Sequence, residues 1–129
     1  MKIEHLAIWV QDLDRMRSFY LQYFDASSGE KYINSKTGFE AYFIFFGENK
    51  TRLELMIRTD IEMFTGKRGF NMGLAHFCIS VGGKDKVNDL TERLRNDNYI
   101  IFSEPRVTGD GYYESVVLDP EGNYLEISA

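Results

Sequence analysis

The sequence holds a single cysteine, Cys78, so no intrachain disulfide can form. That scarcity suits a reducing cytoplasm, the expected compartment. Long apolar runs are absent as well. Nothing approaches the roughly 18 consecutive apolar residues of a membrane-spanning helix. The opening segment is broken by Glu4 and His5 and does not read as a signal peptide. No basic run is present either. Fifteen Lys and Arg stand against twenty Asp and Glu, a formal net charge of −5. Such a chain repels phosphate backbones, which excludes nucleic acid as an expected partner. Histidine is equally scarce, with only His5 and His76. What the chain does have is core material. It is 43% hydrophobic and 15% aromatic over 129 residues, enough for one compact domain or two small halves fused into one.

Residues 3–10 are rich in β-formers and predict a first strand. Asp12 and Asp14 can cap the start of a helix. Leu13, Met16, Phe19, Tyr20 and Phe24 recur at helical spacing and predict an amphipathic helix over 12–23. Ser27, Ser28 and Gly29 should end it in a loop. Strands are expected over 30–34, 38–46 and 51–58, with a turn at Gly47, Glu48 and Asn49. In the last of these strands Leu53, Leu55 and Ile57 alternate with Arg52, Glu54, Met56 and Arg58. Residues 60–73 lack periodicity, contain Gly66, Gly69 and Gly73, and read as a linker. Next come a strand over 74–81 and a helix over 84–97 marked by Val87, Leu90 and Leu94. Strands are expected over 100–106, interrupted by Pro105, over 112–118 and over 124–128, the last two joined by an Asp-Pro-Glu-Gly-Asn turn at 119–123.

The second series repeats the first, and an internal repeat outranks finer detail. Ile3-Glu4-His5-Leu6-Ala7-Ile8-Trp9-Val10 parallels Leu74-Ala75-His76-Phe77-Cys78-Ile79-Ser80-Val81, with His, Ile and Val in register. Arg52-Leu53-Glu54-Leu55 parallels Tyr124-Leu125-Glu126-Ile127. The expected fold is therefore α+β, with two tandem βαβββ modules at 1–59 and 74–129. If the first and last strands of each half lie side by side, His5 faces Glu54 and His76 faces Glu126. A pseudo-two-fold arrangement would bring all four side chains together. Taken singly, each has an ordinary reading as core histidine or polar strand face. Their equivalent places in a repeat favour a metal centre. Imidazole plus carboxylate suits Zn, Ni, Co, Mn or Fe(II) and disfavours a soft, thiolate-preferring ion.

At these residues the chain resembles the vicinal oxygen chelate superfamily, the glyoxalase/bleomycin-resistance/dioxygenase fold. It is most similar to the bacterial nickel- or cobalt-type glyoxalase I, or lactoylglutathione lyase. The resemblance runs from His5 to Glu126. It rests on Ile3-Glu4-His5-Leu6-Ala7-Ile8, Gly73-Leu74-Ala75-His76-Phe77 and Asp119-Pro120-Glu121-Gly122-Asn123-Tyr124-Leu125-Glu126. It implies a curved mixed sheet around one divalent metal per site, nickel or cobalt favoured and zinc allowed, held by His5, Glu54, His76 and Glu126. The implied substrate is a hemithioacetal of a 2-oxoaldehyde and a thiol, isomerised through a metal-stabilised enediolate. Glu126 matches the family's proton-shuttling base, and Glu54 takes the mirrored role or serves as a plain ligand.

Some residues depart from the glutathione-using pattern. Trp9 stands where a basic residue contacts the tripeptide, and Arg58 where an amide does so. Arg58 either grips a substrate carboxylate or is a solvated strand residue. Strand alternation puts Ala7, Trp9, Met56, Arg58, Cys78, Ser80 and Tyr124 on the ligands' face. Trp9, Met56, Arg58 and Tyr124 are the candidate substrate contacts, with core packing the other reading for Trp9 and Met56. Cys78 reads as a buried packing residue. A related epimerase, and a non-enzymatic small-molecule binder of the antibiotic-sequestering type, are the rival functions. A homodimer is expected, with the site formed within one chain or across two.

Overall fold

The structure is a computed structural model and describes residues 1–48 and 51–129. The chain divides into two units, Met1–Phe64 and Thr65–Ala129. In the first, β1 (His5–Trp9) leads into α1 (Leu13–Tyr23), then β2 (Ala26–Ser28), β3 (Tyr32–Asn34), β4 (Phe39–Phe46) and β5 (Arg52–Ile57). The second carries β6 (Phe77–Ser80), α2 (Lys84–Asn96), β7 (Ile101–Val107), β8 (Tyr113–Leu118) and β9 (Tyr124–Ser128). The class is α+β, as the alternation of patterns implies.

The two sheets share one plan. Their orders are β1-β5-β4-β2, with β3 also on β4, and β6-β9-β8-β7. In each, the first strand lies parallel to the last, and the last is antiparallel to the strand before it. Parallel neighbours cannot be joined by a tight hairpin, so the helix and the intervening strands make the crossover.

Asp12 starts α1 by accepting the Arg15 amide at 2.9 Å, satisfying one of the orphan N–H groups of the first turn. Leu13, Met16, Phe19, Tyr20 and Tyr23 form its buried stripe, against a sheet face that buries Ile44, Leu53 and Leu55. Gly83 begins α2 without a side-chain cap. There the buried stripe is Val87, Thr91 and Leu94, while Leu90 is only half-buried. The Thr91 hydroxyl lies 2.7 Å from both the Val87 carbonyl and Ser115 Oγ, so this buried polar pair is satisfied. Asn98, at φ 66, ends the helix, and the Tyr99 amide returns to the Leu94 carbonyl at 2.9 Å.

The structure corrects the sequence reading at three places. Residues 26–28, expected as loop, pair with β4 as β2, so the first unit has one strand more than the repeat implies. β2 and β3 lie along the two ends of the long β4, one edge broken in the middle. Pro105 does not interrupt its strand. β7 runs through it with register shifts against β8 between Ser103 and Arg106, which an edge strand tolerates because a missing N–H there faces no second neighbour. The strand expected from residue 74 begins only at Phe77, which leaves His76 just outside the ladder. Residues 65–73 carry no helix or strand and group with the second unit. Of the expected turn, Gly47 and Glu48 form a turn and Asn49 lies outside the described residues.

Candidate functional site

Leu53 and Leu55 point to the helix, so Arg52, Glu54 and Met56 occupy the opposite face of β5. The parallel register sets His5 opposite Arg52 and Ala7 opposite Glu54. His5 Nε2 lies 3.6 Å from Glu54 Oε2, a carboxylate only 15% exposed. On the far side of the ring, Nδ1 lies 2.5 Å from Glu4 Oε2, and the other Glu4 oxygen pairs with Arg52. The hydrogen bond to His5, helped by Arg52, holds the Glu4 carboxyl below its usual range. A carboxylate accepting the N–H of one imidazole nitrogen fixes the ring and leaves the lone pair on the other nitrogen to bind a metal. Phe43, opposite Glu54 on β4, stands edge-on to His5 at 5.8 Å. It also carries the Arg52 guanidinium 4.1 Å from its ring, which compensates an Nε buried without a hydrogen-bond partner.

The second unit repeats the register, with Cys78 opposite Glu126 as Ala7 is opposite Glu54. His76 Nε2 lies 3.2 Å from Glu126 Oε1, whose side chain is 18% exposed. The surroundings differ. Ala75 stands where the first unit has Glu4, and Tyr124 where it has Arg52. Glu114, opposite Ser128 on β8, shares the Glu126 face. Burial and then the Glu126 charge push the Glu114 carboxyl up, and its ion pair with Arg106 is loose at 3.8 Å. Sequence periodicity misses Glu114, because its face is known only once β8 is registered against β9.

Two donors about 2.1 Å from one cation lie roughly 3.0 Å apart at a right angle and roughly 3.4 Å apart at the tetrahedral angle. The separations of 3.2 and 3.6 Å are those of neighbouring ligands, so each pair fits a divalent ion in chemistry and in spacing. Among the described residues no group of three or more His, Cys, Asp and Glu is gathered as a metal site, and each unit holds one His–Glu pair.

The candidate contact residues are ordered in different ways. The Trp9 ring is edge-on to Phe39 at 6.1 Å and lies 5.6 Å under the Arg58 guanidinium. Arg58 Nε reaches Asp60 Oδ1 at 2.5 Å, and this pairing holds the Asp60 carboxyl low. Met56 is half-buried beside Trp9 and Ala41. Tyr124 is 8% exposed and packs against Phe102 at 4.7 Å and Phe70 at 5.5 Å. Cys78, expected to be buried, is exposed, because β6 presents it on the outer face. Its thiol lies 3.2 Å from Ser128 Oγ. Partial burial of the sulfur, opposed by that hydrogen bond, and the charges of Glu126 and Glu114 push the thiol up. It is not an activated nucleophile.

No helix of the described residues is long and apolar enough to cross a membrane. A family model described as the glyoxalase/bleomycin resistance protein/dioxygenase superfamily matches residues 2–127. Among solved structures, the trypanothione-dependent glyoxalase I of Leishmania major is 24% identical with a TM-score of 0.74, over 99% of this chain and 86% of that one. Glyoxalase I from Zea mays is 24% identical with a TM-score of 0.78, over 98% of this chain and 44% of that one. A glyoxylase/bleomycin resistance protein/dioxygenase domain from Frankia is 17% identical with a TM-score of 0.80, over 99% of this chain and 96% of that one. At these identities the likeness is one of fold. No curated protein matches. With a family match spanning nearly every residue and the same strand order in both sheets, this chain belongs to the glyoxalase/bleomycin resistance protein/dioxygenase superfamily.

Proposed function

We propose that the protein is a divalent-metal-dependent lyase of the glyoxalase I type, acting on the hemithioacetal of a 2-oxoaldehyde and a thiol. The observation that carries this is the doubled His–Glu pair, with the same strand register in each unit and Nε2 to carboxylate distances of 3.6 and 3.2 Å. His5, Glu54, His76 and Glu126 are the ligands, and nickel or cobalt is favoured, with zinc allowed. The bound ion supplies Lewis-acid polarisation of two adjacent substrate oxygens.

Glu126 removes the proton from the carbon bearing sulfur and hydroxyl, leaving an enediolate. It returns that proton to the neighbouring carbon, so the carbonyl moves next to sulfur and a 2-hydroxy thioester results. No atom is gained or lost. Its partly buried side chain limits exchange of the held proton with water. Glu54 is the mirrored carboxylate or a plain ligand. Trp9, Met56, Arg58 and Tyr124 are the substrate contacts, the first three an apolar wall with one cation for the thiol portion. We further propose a cytoplasmic homodimer. A clean monomer by light scattering would sink the dimer.

The test is thioester formation from methylglyoxal with a panel of thiols by nickel-loaded protein. Turnover with at least one thiol, abolished by a chelator and restored by nickel, is the expected result. Metal binding without turnover on any thiol would sink the lyase reading. Tight small-molecule binding without metal would favour a sequestering protein.

A further inference from the structure

We infer that residues 67–70 form a strap that positions His76, and that Arg68 and Gly69 are the residues that fix it; the inference rests on the reading of His76 as a functional ligand. His5 is the first residue of β1 and is in the ladder, with backbone bonds before it and at the strand's far end. The Arg52 amide donates to the Glu4 carbonyl at 3.0 Å, and the Val10 amide to the Met56 carbonyl at 2.8 Å. His76 precedes β6 by one residue. The Val81 amide reaches the Ser128 carbonyl at 2.8 Å, matching Val10, but among the described residues the bond matching Arg52 to Glu4, from the Tyr124 amide to the Ala75 carbonyl, is absent. No carboxylate next to it in the chain braces the ring either, since Ala75 replaces Glu4.

The strap supplies what the ladder does not. Gly69 takes φ +75 and sits so close that a methyl group there would lie 2.8 Å from Tyr124 Cδ2 and 3.0 Å from the Ala75 carbonyl oxygen. The Gly69 backbone thus lies close to both the residue before His76 and the ring at the start of the neighbouring strand. Any larger residue there is strained by the backbone conformation and must displace the Tyr124 ring or the Ala75 carbonyl. Arg68 Nη1 donates to Asn123 Oδ1 at 2.6 Å. Asn123 is itself held by Asp119, which accepts its backbone amide at 2.9 Å and its side-chain amide at 2.7 Å. Phe70 then seats on Tyr124 and Phe102, with the Lys67 ammonium 4.1 Å from its ring. One end of the strap is pinned to the β8–β9 turn and the other closes onto Ala75. The segment is therefore a fixed mount for His76 and not a loose connection.

The test compares the full-length wild type with Arg68→Ala, Gly69→Ala and Arg68→Lys. The chain has only two histidines, so long-range proton–nitrogen spectra of the metal-free protein contain two imidazole systems, assigned with His5→Gln. In Arg68→Ala and Gly69→Ala the His76 signals should shift or broaden while those of His5 stay put. Cobalt(II) affinity should fall about tenfold to a hundredfold, the usual effect of losing a group that orients a ligand. Arg68→Lys, which still donates to Asn123, should recover much of both. A general loss of stability would move both histidines together. If Gly69→Ala does not fold, Arg68→Ala decides alone. Unchanged His76 signals with cobalt affinity within about twofold of wild type would overturn the strap. A wild type that binds no cobalt would overturn the metal-dependent function, and the ring signals would still decide the strap.

Discussion

The two histidine–glutamate pairs occupy the same place in the same topology and are held by different means. In the first unit the histidine belongs to its strand, and Glu4 and Arg52 brace it from behind. In the second it stands outside the strand, with the segment around Gly69 close to the preceding Ala75 and to Tyr124, and Glu114 added to the carboxylate face. A βαβββ plan fixes where first and last strands meet, so it fixes which backbone positions can carry a pair. It leaves the flanking positions free, and the two halves fill them with charge in one case and aromatic packing in the other. Under the proposed function this difference would separate tasks, with the first pair braced as a ligand by Glu4, and with Glu126 transferring the proton beside Glu114.

The largest expected effect is on that separation. Glu126→Gln should lower thioester formation about 10²- to 10⁴-fold, the range for losing a positioned general base. Glu54→Gln should cost less in turnover than in metal affinity. Equal losses of turnover in both would dissolve the distinction. Next come the two cores. Leu55 and Leu125, both fully buried, lie on the last strands of their units. Changing either to Ala should cost about 2–5 kcal/mol in denaturant unfolding. A much smaller cost in one half would break the symmetry of packing. Thr91→Val should cost about 1–3 kcal/mol, because Ser115 Oγ would be left buried without its partner.

Alkylation probes the electrostatics of the second half. Only the thiolate reacts, and the Cys78 thiol is pushed up, so at neutral pH it should react severalfold more slowly than a free thiol and speed up as pH rises. Glu114→Gln should raise the neutral rate. A rate equal to that of a free thiol would contradict the assigned environment. The helix starts give the smallest effects. Asp12→Ala should cost about 1 kcal/mol by removing the cap of α1. Gly83→Ser, at an extended φ of 161° with open space around it, should gain a few tenths of a kcal/mol.

Much of this is legible in the sequence because it rests on period. Helical spacing finds α1 through Leu13, Met16, Phe19 and Tyr20, and strand alternation finds β5 through Leu53 and Leu55. The repeat then pairs each histidine with its glutamate before any strand is placed. The hidden part depends on partners far along the chain. Ser27 and Ser28 carry turn chemistry locally and become a strand because β4 offers a free edge. Thr91, a polar residue on the buried stripe of its helix, has no visible partner until Ser115 meets it. Glu114 is one of many acidic residues until β8 is registered, and Gly69 one of several glycines in a stretch without periodicity until Tyr124 comes to lie against it. His76 is expected within a strand because its neighbours are apolar, and the ladder starts one residue later.

The most direct measurement is metal content by elemental analysis after nickel loading, for wild type, His5→Ala and His76→Ala. The account predicts about one nickel per site in the wild type and its loss in both variants. A folded wild type that retains no nickel, or a His76→Ala variant that holds as much as the wild type, would contradict it.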